Sequence, residues 1–303
     1  MELLKKLCNI PGTSGAEKAV TDFLLQFINK EKKDWKQEPE IWVGEGFQDN
    51  LVLIFGKPKV AFYAHLDTVG YTVRYDNYVI PIGGTDGRTG DSLVFEKEGK
   101  TLETRLVCEE ENDLYLVDAH LPITPGTTLT YKPNFILENE YIKSPYLDDR
   151  LGVWALLQMA AEAENLALVF TTYEEHGGGA AGYIARLLFE KHKVSKSIIT
   201  DVTWVTNGVH FGKGPAISLR DSRIPRKAFV DEIRQLAKKA GIPFQLEVES
   251  HGGSDGKEIQ NLPYPIDWVF VGPPTENPHT ALETVHKTDV DLFVKLLLVL
   301  ARI

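Results

Sequence analysis

Leu166-Ala167-Leu168-Val169-Phe170-Thr171-Thr172-Tyr173-Glu174-Glu175-His176-Gly177-Gly178-Gly179 runs from an apolar segment through two acids into three glycines. An apolar run of this length, 166–172, reads as a strand buried on both faces. Adjacent glutamates straight after such a strand are costly unless positive charge holds them. Adjacent side chains on an extended chain point in different directions, so one can bind a cation while the other faces a reacting water. The glycines let the chain turn sharply into a helix expected over 179–191. Strand, acidic turn and helix together make one unit of an α/β fold, with its chemistry at the carboxyl end of the strand.

The same alternation recurs on both sides. Towards the C-terminus, 197–201, 244–248 and 266–271 read as strands, and 226–240 and 289–302 as helices, the former stopped by Gly241. Towards the N-terminus, 148–163 reads as a helix. The runs 51–55 and 60–64 read as buried strands, turned by Gly56-Lys57-Pro58, and 16–31 has helical spacing. These elements predict an α/β domain over 1–73 and 143–303, with a mostly parallel-centred mixed sheet covered by helices. Between them, 74–142 changes character. Glycines break it repeatedly, its apolar residues alternate over short stretches, and no helical period appears, which predicts a small β-barrel-like insert.

Composition narrows the partners. The 303 residues carry 43 acids against 33 lysines and arginines, a formal charge of −10. With no basic block, a nucleic-acid or membrane partner is not expected. The two cysteines, Cys8 and Cys108, make neither a disulfide framework nor a thiolate site. Met1-Glu2-Leu3-Leu4-Lys5-Lys6 has no apolar signal core, and the run 292–301 is broken by Lys295, so a cytoplasmic protein is expected.

Several of the remaining candidate residues also fall at predicted strand or helix ends. His65-Leu66-Asp67 ends the 60–64 strand. A ligating imidazole needs its other nitrogen held, and Asp67 is spaced to do so; a core histidine beside a solvated acid is the bland alternative. Asp148-Asp149-Arg150 stands at a loop-to-helix entry, where acids are favoured anyway. On the functional reading Asp148 bridges two metals while Asp149 and Arg150 support the site. Asp201 ends the 197–201 strand, where a turn acid is also unremarkable. His279, in Pro273-Pro274-Thr275-Glu276-Asn277-Pro278-His279, has a built neighbourhood, with His286 its rival. His176 is expected in a substrate pocket or behind the ligands, and Asp255 follows Gly252-Gly253-Ser254. Carboxylates and imidazoles without thiolates suit Zn²⁺, Co²⁺ or Mn²⁺.

Taken in order, these segments resemble the M42 family of metallo-aminopeptidases, the glutamyl aminopeptidase and tetrahedral aminopeptidase group. The matches are 64–70, 147–152, Glu174-Glu175 with Gly179-Ala180, 201–203, Gly212-Lys213-Gly214-Pro215, 252–255 and 279–283, and they span most of the chain. The resemblance implies a zinc-peptidase-like fold and two divalent ions, Zn²⁺ foremost. Asp148 would bridge them, His65 and Asp201 would complete one, and Glu175 and His279 the other. Glu174 would be the general base and Asp67 would orient His65. It further implies peptide substrates, homo-oligomers and a dimerisation role for 74–142. The chain departs from the family in Glu276-Asn277, where an Arg-Tyr pair tends to stand, in Thr68 and Tyr173, and in its short insert. The alternatives are a related carboxypeptidase, dipeptidase or N-acyl amino acid deacylase, or a non-catalytic homologue.

Overall fold

The computed structural model describes residues 1–109, 114–118 and 122–303; the stretches 110–113 and 119–121 of the expected insert lie outside the described residues. Its centre is an eight-stranded sheet. In spatial order the strands are Glu40–Gly44, Gln48–Ile54, Leu166–Thr171, Val60–His65, Lys196–Thr200, Asp267–Gly272, Ala216–Arg220 and Gln245–Val248. The four from Leu166–Thr171 to Asp267–Gly272 run parallel, the next strand on either side is antiparallel to them, and the outermost pair Ala216–Arg220 and Gln245–Val248 is parallel within itself. The sheet is thus the mixed, parallel-centred one that the sequence predicts.

Residues of the central strands alternate between two cores. Phe62, Leu168, Ile198 and Val269 face the helices Lys18–Glu31, Leu147–Ala160, Lys227–Lys239 and Lys287–Leu300. Ala61, Tyr63, Val169, Ile199 and Trp268 face the helix Ala180–His192 and the short helix Gly256–Gln260. A strand covered on both faces has no polar side to show, which is why Val60–His65 and Leu166–Thr171 are buried throughout and read as unbroken apolar runs.

Two smaller β units complete the chain. Gly70–Val73, Tyr78–Ile82, Ser92–Lys97, Lys100–Glu109, Leu114–Asp118 and Thr128–Tyr131 close into a barrel. Its core holds Tyr71, Leu93, Leu106, Leu129 and Tyr131. A five-stranded sheet joins Ile136–Glu138, Tyr141–Ser144, Glu283–His286, Pro274–Glu276 and Thr203–Trp204. That sheet was not legible in the sequence, and the turn joining two of its antiparallel strands carries His279. Among the described residues no helix is long and apolar enough to cross a membrane.

Candidate metal centre

The parallel strands end at one edge, and their last residues meet there. His65 closes Val60–His65, Glu174 and Glu175 follow Leu166–Thr171, and Asp201 follows Lys196–Thr200. Asp148 comes in at the head of Leu147–Ala160, through a cis Asp148–Asp149 peptide. His279 arrives from the turn between Pro274–Glu276 and Glu283–His286. The structure therefore brings five expected ligands together, and Glu174 lines the same cleft.

Asp148 divides the cluster. Its Oδ1 lies 3.0 Å from His65 Nε2, which is in turn 3.7 Å from Asp201 Oδ1. Its Oδ2 lies 3.2 Å from His279 Nε2, which is 3.4 Å from Glu175 Oε2. Each carboxylate oxygen thus faces its own imidazole and its own second acid. Both rings are oriented from behind. His65 Nδ1 donates to the Asp67 carbonyl at 3.0 Å, and His279 Nδ1 donates to the Gly84 carbonyl at 3.0 Å. Each Nε2 is left aimed at the carboxylates.

The electrostatics call for added positive charge. Burial pushes Glu175 up to about 8, with the charge of Asp148 adding to it. Burial and Asp148 likewise push Asp201 up to about 6. Burial holds Glu174 well above the usual carboxylate range, with Asp201 and Glu175 adding. At Asp148 the two histidines outweigh burial and hold the carboxyl below its usual range. The same hydrogen bond, with the charge of Glu175, overcomes burial at His279 and pushes it up to about 11. Glu175 Oε1 is buried without a partner. Buried acids facing imidazole nitrogens, with one oxygen unsatisfied, suit divalent cations of borderline softness. Groupings of His65 with Asp148 and Glu175, and of His65 with Asp149 and Asp201, place donor atoms within 4.8 Å of one another.

Behind the cluster lies a buried frame. The Asp67 carboxylate does more than face His65, whose Nδ1 is 3.6 Å away. It accepts the N–H groups of Glu174 and Glu175, each at 3.0 Å, and the Ser14 hydroxyl at 2.6 Å. This holds the turn that carries both glutamates. Asp149 accepts from the His65 N–H at 3.2 Å and the Gly152 N–H at 2.8 Å. Arg150, fully buried, donates to the carbonyls of Leu66 and Ile10. Gly177, Gly178 and Gly179 have φ of 105°, 74° and 116°, a left-handed run that makes the expected sharp turn.

Two candidates lie off the cluster. The His176 ring accepts the Gly83 N–H at 3.2 Å, on the barrel. Asp255 accepts the Thr171 hydroxyl at 2.6 Å, and burial pushes its carboxyl up to about 7. One frame residue received no role from the sequence. Glu283 accepts the Asp148 N–H at 2.9 Å and the His279 N–H at 3.0 Å, so one buried carboxylate ties two candidate ligands together. The pairing of Ser144 with Glu283 sets it there. An acid four residues after His279 was the visible signal.

Gly272 shows how tightly the edge is built. A Cβ at this position would meet the Asp201 carbonyl oxygen at 1.7 Å. Gly272→Ala must displace the Asp201 main chain. A loss of about 1–3 kcal/mol is expected from such overpacking, measured as a lower denaturation midpoint, together with weaker metal retention.

The comparisons with known proteins bear on the family and the fold. A sequence model of the family described as M42 glutamyl aminopeptidase matches residues 117–296. A lysyl aminopeptidase of Pyrococcus furiosus is 26% identical over 97% of this chain and 94% of its own. An aminopeptidase structure from Desulfurococcus kamchatkensis has a TM-score of 0.86 at 22% identity, covering 99% of this chain and 93% of that one. The Pyrococcus horikoshii TET1 peptidase, described as assembling into a tetrahedron or a large octahedral shell, has a TM-score of 0.81 at 23% identity, over 99% and 98% of the chains.

Proposed function

The chain belongs to the M42 glutamyl aminopeptidase family of peptide hydrolases, and on that basis we propose that it removes N-terminal residues from peptides at a dinuclear metal centre held by His65, Asp148, Glu175, Asp201 and His279, with Glu174 as general base. The observation that carries this reading is the division of Asp148, with one oxygen facing His65 and Asp201 and the other facing His279 and Glu175. Two divalent ions there, Zn²⁺ foremost and Co²⁺ or Mn²⁺ compatible with the same donors, would supply Lewis acidity to the scissile carbonyl and lower the pKa of the attacking water.

The chain's own groups do the rest. Glu174 takes a proton from the attacking water and returns it to the leaving amine. Its buried setting, which raises its proton affinity, suits a group that must both accept and donate. Asp67 grips the N–H groups of Glu174 and Glu175 and keeps base and ligand in fixed relation. The acids at the inner end of the cleft can receive a substrate's free α-amino group, which favours cleavage at the N-terminus. The insert expected over 74–142, which supplies all of the barrel but its strand Gly70–Val73, is assigned to dimerisation, and a homo-oligomer is the expected assembly; the P. horikoshii relative's larger shells are consistent with this.

Aminoacyl p-nitroanilides set against N-acylated amino acids test the reading. Metal-loaded protein is expected to release p-nitroaniline from the first and leave the second intact. Cleavage of N-acylated amino acids alone would instead make it a deacylase.

A further inference from the structure

More than one cavity opens on Glu174, and one of them carries a further set of acids beside apolar surface. Its volume is about 130 Å³. Beyond the metal ligands it is walled by Asp221, Glu247 and Glu249, with Trp204 and Phe270 supplying apolar surface. No lysine or arginine lines it. Asp221 is 7% exposed and Glu247 5%. Glu247 accepts the Thr203 hydroxyl, and Asp221 accepts the Arg223 N–H at 2.5 Å. These bonds fix the carboxylates without neutralising them. Among the described residues, none of the three acids forms an ion pair within 4.0 Å. Arg223 and Arg220 act on Asp221 from outside the lining. Burial holds Glu247 above the usual carboxylate range, with Asp221 and Glu249 adding to it.

Two divalent ions would offset the inner acids; in the outer group Arg223 and Arg220 act on Asp221, while Glu247 and Glu249 form no ion pair among the described residues. Buried acids without a counter-charge are unfavourable, and a cation delivered by a ligand relieves them. With two ions and a substrate's α-amino group bound, the inner end would be taken. A substrate's α-amino nitrogen is two bonds from the scissile carbonyl carbon, so it stays beside the metal ligands. What can extend from there to the outer end is the side chain of the N-terminal residue. A long aliphatic stem with a cationic head matches a cleft whose lining combines Trp204 and Phe270 with Asp221, Glu247 and Glu249.

We propose that the outer end of the cleft selects N-terminal lysine and arginine, the stem lying on Trp204 and Phe270 and the cationic head reaching Asp221, Glu247 and Glu249. The inference rests on the aminopeptidase reading above and names the residue that reading leaves open.

The test compares wild type with Asp221→Asn, Glu247→Gln and the half-buried Glu249→Gln, the last least able to disturb folding. Each is assayed on lysyl, arginyl, leucyl and glutamyl p-nitroanilides. Binding of the products L-lysine and L-leucine is measured by isothermal titration calorimetry. In wild type, kcat/KM for the two basic substrates should exceed that for the others at least tenfold, and L-lysine should bind more tightly than L-leucine. Each variant should lower the lysyl-to-leucyl ratio, by tenfold or more for the two buried acids, and weaken L-lysine binding selectively. Cleavage of leucyl or glutamyl substrates as fast as lysyl overturns the proposal and leaves the aminopeptidase reading standing. An equal loss on all four substrates also overturns it, since the acids would then be serving the common α-amino group. Failure to cleave any aminoacyl substrate removes the reading beneath it.

Discussion

Glu174→Gln is expected to lower kcat/KM by about 10²–10⁴-fold, the range for loss of a general base, while the metal content stays at that of wild type. The cause is local. Glu174 shares the cleft with the metal ligands but stands outside the Asp148-centred contacts. Its N–H is held by Asp67 whatever its side chain, so glutamine should keep the turn in place. The amide cannot accept the water's proton at neutral pH. Glu174 can act as a base only once it has lost its own proton. Wild-type kcat/KM should therefore rise with pH through an acid limb that the variant lacks. Metal analysis by plasma mass spectrometry and a pH–rate profile check both halves. Full activity in the variant would remove Glu174 from the chemistry.

Asp148→Ala should abolish measurable turnover for a different reason, loss of the cations themselves. Asp148 is the one group whose two oxygens serve both halves of the cluster. Without it, His65 keeps Asp201 and His279 keeps Glu175, too few donors to hold either ion tightly. Metal content should fall from about two per chain, the dinuclear expectation, to well below one. A ligand that binds only the folded state stabilises it, so wild type should gain thermal stability when metal is added back to chelated protein and the variant should not. Two tightly held metals in Asp148→Ala would refute the bridging role.

How much of this was readable depends on sequence distance. Strand ends such as His65, Glu174 and Asp201 are legible as a set, because a buried apolar run followed by a histidine or an acid is a local signal that gains weight by repetition. The three glycines after Glu175 were legible for the same reason: a forced turn is encoded where it occurs. Glu283 was not given a role because its partner Asp148 lies 135 residues away and meets it only through the five-stranded sheet. The strands of that sheet are short or marginal in pattern, and Thr203–Trp204 has just two residues. Asp67 looked like a histidine's partner by spacing, yet its oxygens also hold the backbone of Glu174 and Glu175, a contact that depends on two parallel strands ending side by side. The outer acids of the cleft escaped notice because Asp221, Glu247 and Glu249 sit on loops and an edge strand with no motif around them.

The lip of the barrel clasps His279 from both sides: the Gly84 carbonyl accepts from its ring, and the Asp86 N–H donates to its own carbonyl at 3.1 Å. Gly83 meanwhile donates to His176. A chain trimmed to its α/β lobe would retain every donor atom yet lose the brace that aims one of them. The aim of one candidate metal-ligating imidazole is therefore set from outside the α/β lobe, so a displacement of the barrel lip would be felt directly at His279.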